Sequence, residues 1–329
     1  MLSRVADSVH WMARYLERAE NVARFIDVNW NLTLDLGEEL AGHWEPLVST
    51  TGDREAFFKR YDVPSRENVM RFLALDTENP NSIVSCLAHA RENARVAREV
   101  ISADMWEELN RFYLWVQDAV RAGTTNDYEF FAQVKRASHQ LLGATEATMS
   151  HGEAWHFARL GWLLERADKT SRILDVKYFI LLPNVSDIGT PLDLVQWSAL
   201  LKSASALEMY RREHGRIVPA RVMEYLILDR DFPRSIRFAL IRAERSVRAI
   251  TGAAEEGTFR NRAEQEVGRL RSQLDYTSTE DILRAGLHEF IDGIQASLLR
   301  MGDAVFKTFF LVQDLPLSGQ SQSQHQSSS

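Results

Sequence analysis

"LERAENVAR", Leu16–Arg24, returns later in the chain as "LERADKTSR", Leu164–Arg172. Leu16/Leu164, Glu17/Glu165, Arg18/Arg166, Ala19/Ala167 and Arg24/Arg172 are identical, and just beyond them Asp27 meets Asp175. A second pair of segments repeats the relation. "VMRFLALDTENPNSIVSCL", Val69–Leu87, aligns without a gap on "VMEYLILDRDFPRSIRFAL", Val222–Leu240. Val69/Val222, Met70/Met223, Leu73/Leu226, Asp76/Asp229, Pro80/Pro233, Ser82/Ser235, Ile83/Ile236 and Leu87/Leu240 are among the identities, and Trp44 and Trp197 fall into the same register. The reading is an internal duplication, with one unit over about 1–150 and the other over about 151–316. A period this long is not that of a solenoid. Each apolar face needs a partner, so the two units are expected to pack as one pseudo-two-fold helical bundle over residues 1–316.

The fold class is all-α. Apolar residues recur at three- and four-residue spacing over most of the chain, and strand-type alternation is scarce. The chain has 329 residues with only eight prolines, which fall mostly in short breaks such as "ENPNS" and "DFPRS". The polar run "SGQSQSQHQSSS" cannot bury apolar surface, so residues 317–329 are expected to be a disordered tail.

In the first segment Val5, Met12, Leu16, Ala19, Ala23 and Ile26 form a core stripe. His10, Arg14, Glu17, Asn21 and Arg24 form a polar stripe beside it. Arg18 has Trp11, Tyr15, Val22 and Phe25 as helical neighbours. An aromatic collar of this kind would leave its planar fork free for a carboxylate or phosphate. In the second segment Ala158 and Trp162 replace His10 and Arg14, and Glu165 and Lys169 form an i,i+4 pair. Adjacent residues on a helix diverge by about 100°, so Glu17 and Arg18 need partners elsewhere. Exchange between the copies, Glu17 with Arg166 and Glu165 with Arg18, is the structural reading. A ligand site on the same residues is the functional one.

After each of the aligned Asp76 and Asp229 a further helix is expected. In the first copy Asn79 would cap it and Pro80 would take its first position. Its core stripe runs from Ile83 to Ile101. Arg91, Arg95 and Arg98 form a cationic stripe, with Asn93 near the apolar side. Arg91, Asn93 and Arg95 are therefore candidate anion-binding residues alongside Arg14, Arg18, Asn21, Arg24, Arg166 and Arg172.

The composition excludes several classes. The net charge is −7 without a Lys/Arg block, which gives no nucleic-acid face. A single cysteine, Cys86, cannot form an internal disulfide framework and points to a reducing, cytoplasmic setting. No secretory leader or membrane span is expected. Asp7/His10 and Glu153/His156 have carboxylate–histidine spacing, but they fall at different distances before Glu17 and Glu165, so no metal site is expected. There is no phosphate-binding loop, dinucleotide fingerprint or nucleophile elbow, and no cofactor is expected.

On "MLSRVADSVHWMARYLERAENVAR", "NPNSIVSCLAHARENARVAR", "GWLLERADKTSRILDVKY" and "DFPRSIRFAL", the sequence resembles the bacterial alpha-E family, all-helical proteins with a Glu-Arg motif. The resemblance covers the chain to about Pro316. It implies a setting beside circularly permuted ATP-grasp and transglutaminase-like proteins, and hence ATP-dependent amide or peptide-bond formation. The expected function is a helical accessory partner of such a ligase, binding the ligase or a peptide or amino-acid substrate through the Glu/Arg layer. One alternative is an acyl-transfer enzyme of peptide modification with Glu17 or Glu165 as general base. Another is a scaffold whose charges only set helix register.

Overall fold

The computed structural model describes residues 1–36, 44–125, 128–179, 190–254 and 258–311. The tail expected over 317–329 lies outside the described residues, as does most of the break after Phe179. The first half holds α1 (Ser3–Leu36), α2 (Glu45–Thr51), α3 (Arg54–Phe58), α4 (Arg66–Met70), α5 (Ile83–Val96), α6 (Ala103–Ala122) and α7 (Tyr128–Thr148). The second holds α8 (Glu153–Phe179), α9 (Pro191–Ser203), α10 (Leu207–His214), α11 (Pro219–Leu228), α12 (Ile236–Thr251), α13 (Arg262–Asp275), α14 (Thr279–Ala285) and α15 (Leu287–Val305). One π-helical turn, Arg71–Leu75, extends α4, and another, Phe306–Phe310, extends α15. Among the described residues there is no strand, so the all-α class holds.

The long helices α1 and α8 carry the two Leu-Glu-Arg-Ala segments and run in the same direction, side by side. The Met1 amino group pairs with Glu153 at 2.8 Å, Gly161 faces His10, and Glu17 meets Arg166 further along. Around each long helix the same circuit closes. α1 packs on α5, α5 on α6, α6 on α7, and α7 back on α1. α8 packs on α12, α12 on α13, α13 on α15, and α15 back on α8. Each circuit is a four-helix bundle whose apolar stripes face inward, and the two bundles share the α1–α8 contact as one continuous core.

Short elements cross between the halves. α2 packs on α8, and α9 packs on α1. Gly52, at the end of α2, has φ 85° and lies so close to Arg172 that a Cβ would stand 2.9 Å from its Nη1. Ser205, after α9, is the one described non-glycine residue with positive φ, at 51°, and its hydroxyl accepts from Arg24.

One sequence expectation is corrected. Asn79 and Pro80 do not open the α5 helix. Ser82 is its N-cap, accepting from the Ser85 amide, and Ser235 does the same for α12 through Phe238. Asn79 is committed to the preceding turn, where it donates to the Phe72 carbonyl and accepts from the Asn81 amide.

α1 and α8 approach closely at Gly161, where an added Cβ would lie 2.3 Å from the His10 carbonyl oxygen and 3.2 Å from the Ala13 Cβ. A mid-helix Gly→Ala change ordinarily stabilises by about 0.5–1 kcal/mol. Gly161→Ala should instead destabilise, by about 1–3 kcal/mol, because backbone must move. Gly143→Ala in α7, where the Cβ meets nothing within 4 Å, should show the ordinary gain. Urea unfolding of the two variants checks this. Equal or higher stability for Gly161→Ala would refute the close approach.

Candidate functional site

The α1–α8 contact buries a polar layer in the middle of the molecule. Glu17 and Glu165 are buried, Glu165 completely. Arg166 donates to Glu17 through Nε and Nη2 at 2.9 and 2.8 Å, one nitrogen to each carboxylate oxygen. Arg18 grips Glu165 in the same way, at 2.7 and 3.0 Å. Each glutamate is therefore held by the arginine of the other segment, in the two-point geometry that a guanidinium fork favours.

Further groups complete the two halves of the layer. Arg14 donates from Nε to Glu165 at 3.0 Å, and Lys169 approaches it to 3.6 Å. Arg234 donates to Glu17 and Glu20, each at 2.9 Å, and Asn21 donates to Glu17 at 3.2 Å. Arg18 also reaches the Asn81 side-chain oxygen at 2.5 Å, and Asn81 donates to Asp53 at 2.7 Å. One helical turn on, Arg172 pairs with Asp168 at 2.9 Å, and Arg24 pairs with Glu20.

The electrostatics follow from this crowding. Burial pushes the Glu17 carboxyl up, but Arg166 and Arg234, with hydrogen bonds from Arg166 and Asn21, outweigh it and bring it to about 2. Burial acts on Glu165 in the same sense, and Arg18, Arg14 and Lys169 hold it well below the carboxylate range. A general base at neutral pH needs a raised value and a free lone pair. Neither glutamate has the first, and both oxygens of each already accept from guanidinium nitrogens. The geometry thus opposes the general-base role considered for Glu17 and Glu165. Cations also outnumber carboxylates here. Arg24 is held well below its ordinary value, first by burial and then by Arg234.

The structure brings Glu17, Glu165, Arg14, Arg18, Asn21, Arg24, Arg166 and Arg172 together. It does not bring Arg91, Asn93 and Arg95 to them. α5 turns this stripe outward, because Ala90, Ala94 and Ala97 take the core side. Arg91 bonds Asn110 at 2.8 Å and lies over Tyr113, Arg95 is exposed and pairs with Glu92, and Asn93 donates to the His89 carbonyl. The expected aromatic collar is also rearranged. Tyr15 lies 5.6 Å from the Arg18 guanidinium, Trp11 lies under Arg14 instead, and the Arg18 fork is filled by Glu165. Arg234, Asn81, Glu20 and Asp168 are members of the layer that the sequence reading omitted. Cys86 is buried, and burial pushes its thiol up to about 12, which removes it as a nucleophile. Among the described residues no group of three or more His, Cys, Asp or Glu could hold a metal ion, and no helix is long and apolar enough to cross a membrane.

Comparison with known proteins places these observations. The Alpha-E family model, described as a predicted alpha-helical domain with a conserved ER motif, matches residues 1–310. Uncharacterized proteins of Mycobacterium bovis and of two Mycobacterium tuberculosis strains are 23% identical to the chain over 338 aligned positions. The match takes in 93% of this chain and 36% of each relative, so the chain spans about a third of the length of the curated relatives it matches. No solved structure matches.

Removing one side of the layer leaves charge buried without a partner. Glu165→Gln should cost about 3–5 kcal/mol in denaturant unfolding, whereas Arg95→Ala on the outer face should stay within about 0.5 kcal/mol. A loss below 1 kcal/mol for Glu165→Gln would show that the pairs contribute little. His10 gives a pH test. Burial, then Arg14, lowers its imidazole from 6.5 to about 3. The unfolded chain therefore takes up the proton first. The stabilisation is complete above about pH 6.5 and is lost as pH falls toward 3. Between pH 7.5 and pH 5 the wild type should lose about 2 kcal/mol more than His10→Phe. Parallel pH curves for the two proteins would contradict the burial of a neutral imidazole.

Proposed function

The chain belongs to the Alpha-E family, and we propose that it acts as a non-catalytic helical partner of an ATP-grasp amide- or peptide-ligase system. The observation that carries this reading is the closed Glu/Arg exchange. Both motif glutamates spend their lone pairs on arginines, so the motif holds a rigid body together and leaves recognition to its outer faces. The outward stripe on α5 is suited to that task. Arg95 is exposed, Arg91 lies over Tyr113 of α6, and Arg98, just past the end of α5, lies over Trp106. Arginines stacked on aromatics are pre-organised for an acidic partner surface.

The ligase setting comes from the resemblance of the sequence, with a circularly permuted ATP-grasp protein and a transglutaminase-like protein as the partners. The mycobacterial relatives support a unit that works beside other sequence, since most of each relative lies outside the match. A purely structural scaffold is the second reading, and the same closed pairing favours it. We further propose that the two halves descend from one duplicated unit; the recurrence of the packing circuit supports this.

The test is co-purification of the chain with the circularly permuted ATP-grasp protein of the same organism, followed by an ATP-dependent amide-bond assay with and without it. A stable complex and a rise in ligase activity are expected. Charge reversal at Arg91 and Arg95 together should weaken the complex by tenfold or more while the chain stays folded, as far-UV circular dichroism would show. If neither binding nor activity responds to the chain, the partner reading fails.

A further inference from the structure

The two sides of the α1–α8 contact are not equivalent, and the difference is a cavity. On one side α15 and its π-helical extension cover α1 and α8 and leave a space of about 320 Å³. On the other side α7 covers the same two helices, and the corresponding space is about 20 Å³. The residue that decides this is the one where the two motif helices differ. Arg14 lines the large cavity, and Trp162, which stands at the matching place on α8, is buried at the small one and takes up its room. The larger space lies within the range of small-molecule sites, about 300–1,000 Å³.

Its lining is mostly apolar with a few convergent polar groups. Leu298, Leu299 and Phe306 form one wall, with Leu299 and Phe306 largely exposed at the rim. Trp11 lies on the opposite side with the Arg14 guanidinium stacked on it, 4.7 Å from the ring centre. Arg14 uses Nε for Glu165, and among the described residues its two terminal nitrogens have no hydrogen-bond partner. That free edge fits one carboxylate through two parallel hydrogen bonds. His10 also lines the cavity. It is 3% exposed, and its Nδ1 is buried without a hydrogen-bond partner among the described residues. A buried polar atom left unpaired is costly, about 1–3 kcal/mol, so the His10 ring brings an unmet hydrogen bond to the wall beside the cavity.

Two carboxylates line the same space. Asp168 is neutralised by Lys169 and Arg172, and Asp303 by Lys307. Neither cancels the Arg14 edge, and one guanidinium matches a monoanion better than a dianion. We propose that this cavity is a binding site for a small monocarboxylate with an apolar body, its carboxylate on Arg14 and its apolar part against Leu298, Leu299 and Phe306. The site stands whether or not the chain serves a ligase.

The probes are N-acetyl-L-phenylalanine and 4-phenylbutyrate, titrated calorimetrically into the full chain, with N-acetyl-L-phenylalaninamide and inorganic phosphate as comparisons. At least one acid should bind saturably at a single site. The amide and phosphate should bind at least tenfold more weakly. Arg14→Gln should reduce acid binding tenfold or more. Since Arg14 also touches Glu165, Gly302→Leu provides an independent check. Gly302 lines the cavity and its Cβ position is open, so leucine fills the space and leaves the Arg14–Glu165 pair intact. It should abolish acid binding while melting at or above the wild-type temperature, since it replaces a mid-helix glycine. Binding of neither acid, equal binding of acid and amide, preference for phosphate, or full binding by a folded Gly302→Leu chain would each overturn the proposal.

Discussion

Two carboxylates in the middle of the molecule, each in the fork of an arginine from the neighbouring helix, fix how α1 and α8 meet. These helices run in the same direction, so their dipoles align side by side and give the contact no help. Their apolar stripes alone would tolerate sliding by one turn, about 5.4 Å. The exchanged Glu17–Arg166 and Glu165–Arg18 pairs do not tolerate it, because the slide would strand two carboxylates and two guanidinium groups away from water. Desolvation makes such pairs poor sources of net stability. Their contribution is to single out one register, and the close pass at Gly161 is possible only in that register. The two four-helix circuits then follow, since each is built outward from one of these helices.

The surroundings of the two pairs differ while the pairs do not. On one side Asn81 meets Arg18, and on the other Arg234 meets Glu17 and Glu20. Gly52 lies beneath Arg172, whereas Ser205 accepts from Arg24 while holding a left-handed backbone that costs a non-glycine residue of order 1 kcal/mol. The local charge balance is met differently in each half. One half supplies Lys169 to its glutamate; the other supplies the neutral Asn21 and brings in Arg234.

The helical class, the core stripes and the exchange of charges were legible because they depend on spacing within one helix and on a motif repeated at full identity. The added members of the layer were harder to find. Asn81 and Arg234 sit between an aligned proline and an aligned serine, at a position where the two segments differ in charge. A search for identities passes over such a pair, although the shared register was visible. The same holds for Glu20 and Asp168, which agree in charge but not in residue type. Arg91, Asn93 and Arg95 were misplaced for a different reason. Periodicity gives the face of a helix but not the neighbour that the face meets, and here the alanines of α5 took the inner side. The cavity beside Arg14 depends on where α15 returns to α8, which no local pattern encodes.

Because every motif glutamate is answered from the opposite half, neither half can close its own polar layer. A chain cut between α7 and α8 would yield two fragments, each with an anion and a guanidinium that have lost their partners. On the proposed duplication, a half-length ancestor would have needed a second molecule to hold each glutamate, and fusion would have released that symmetry, so that one position could keep an arginine and the matching one could become a tryptophan.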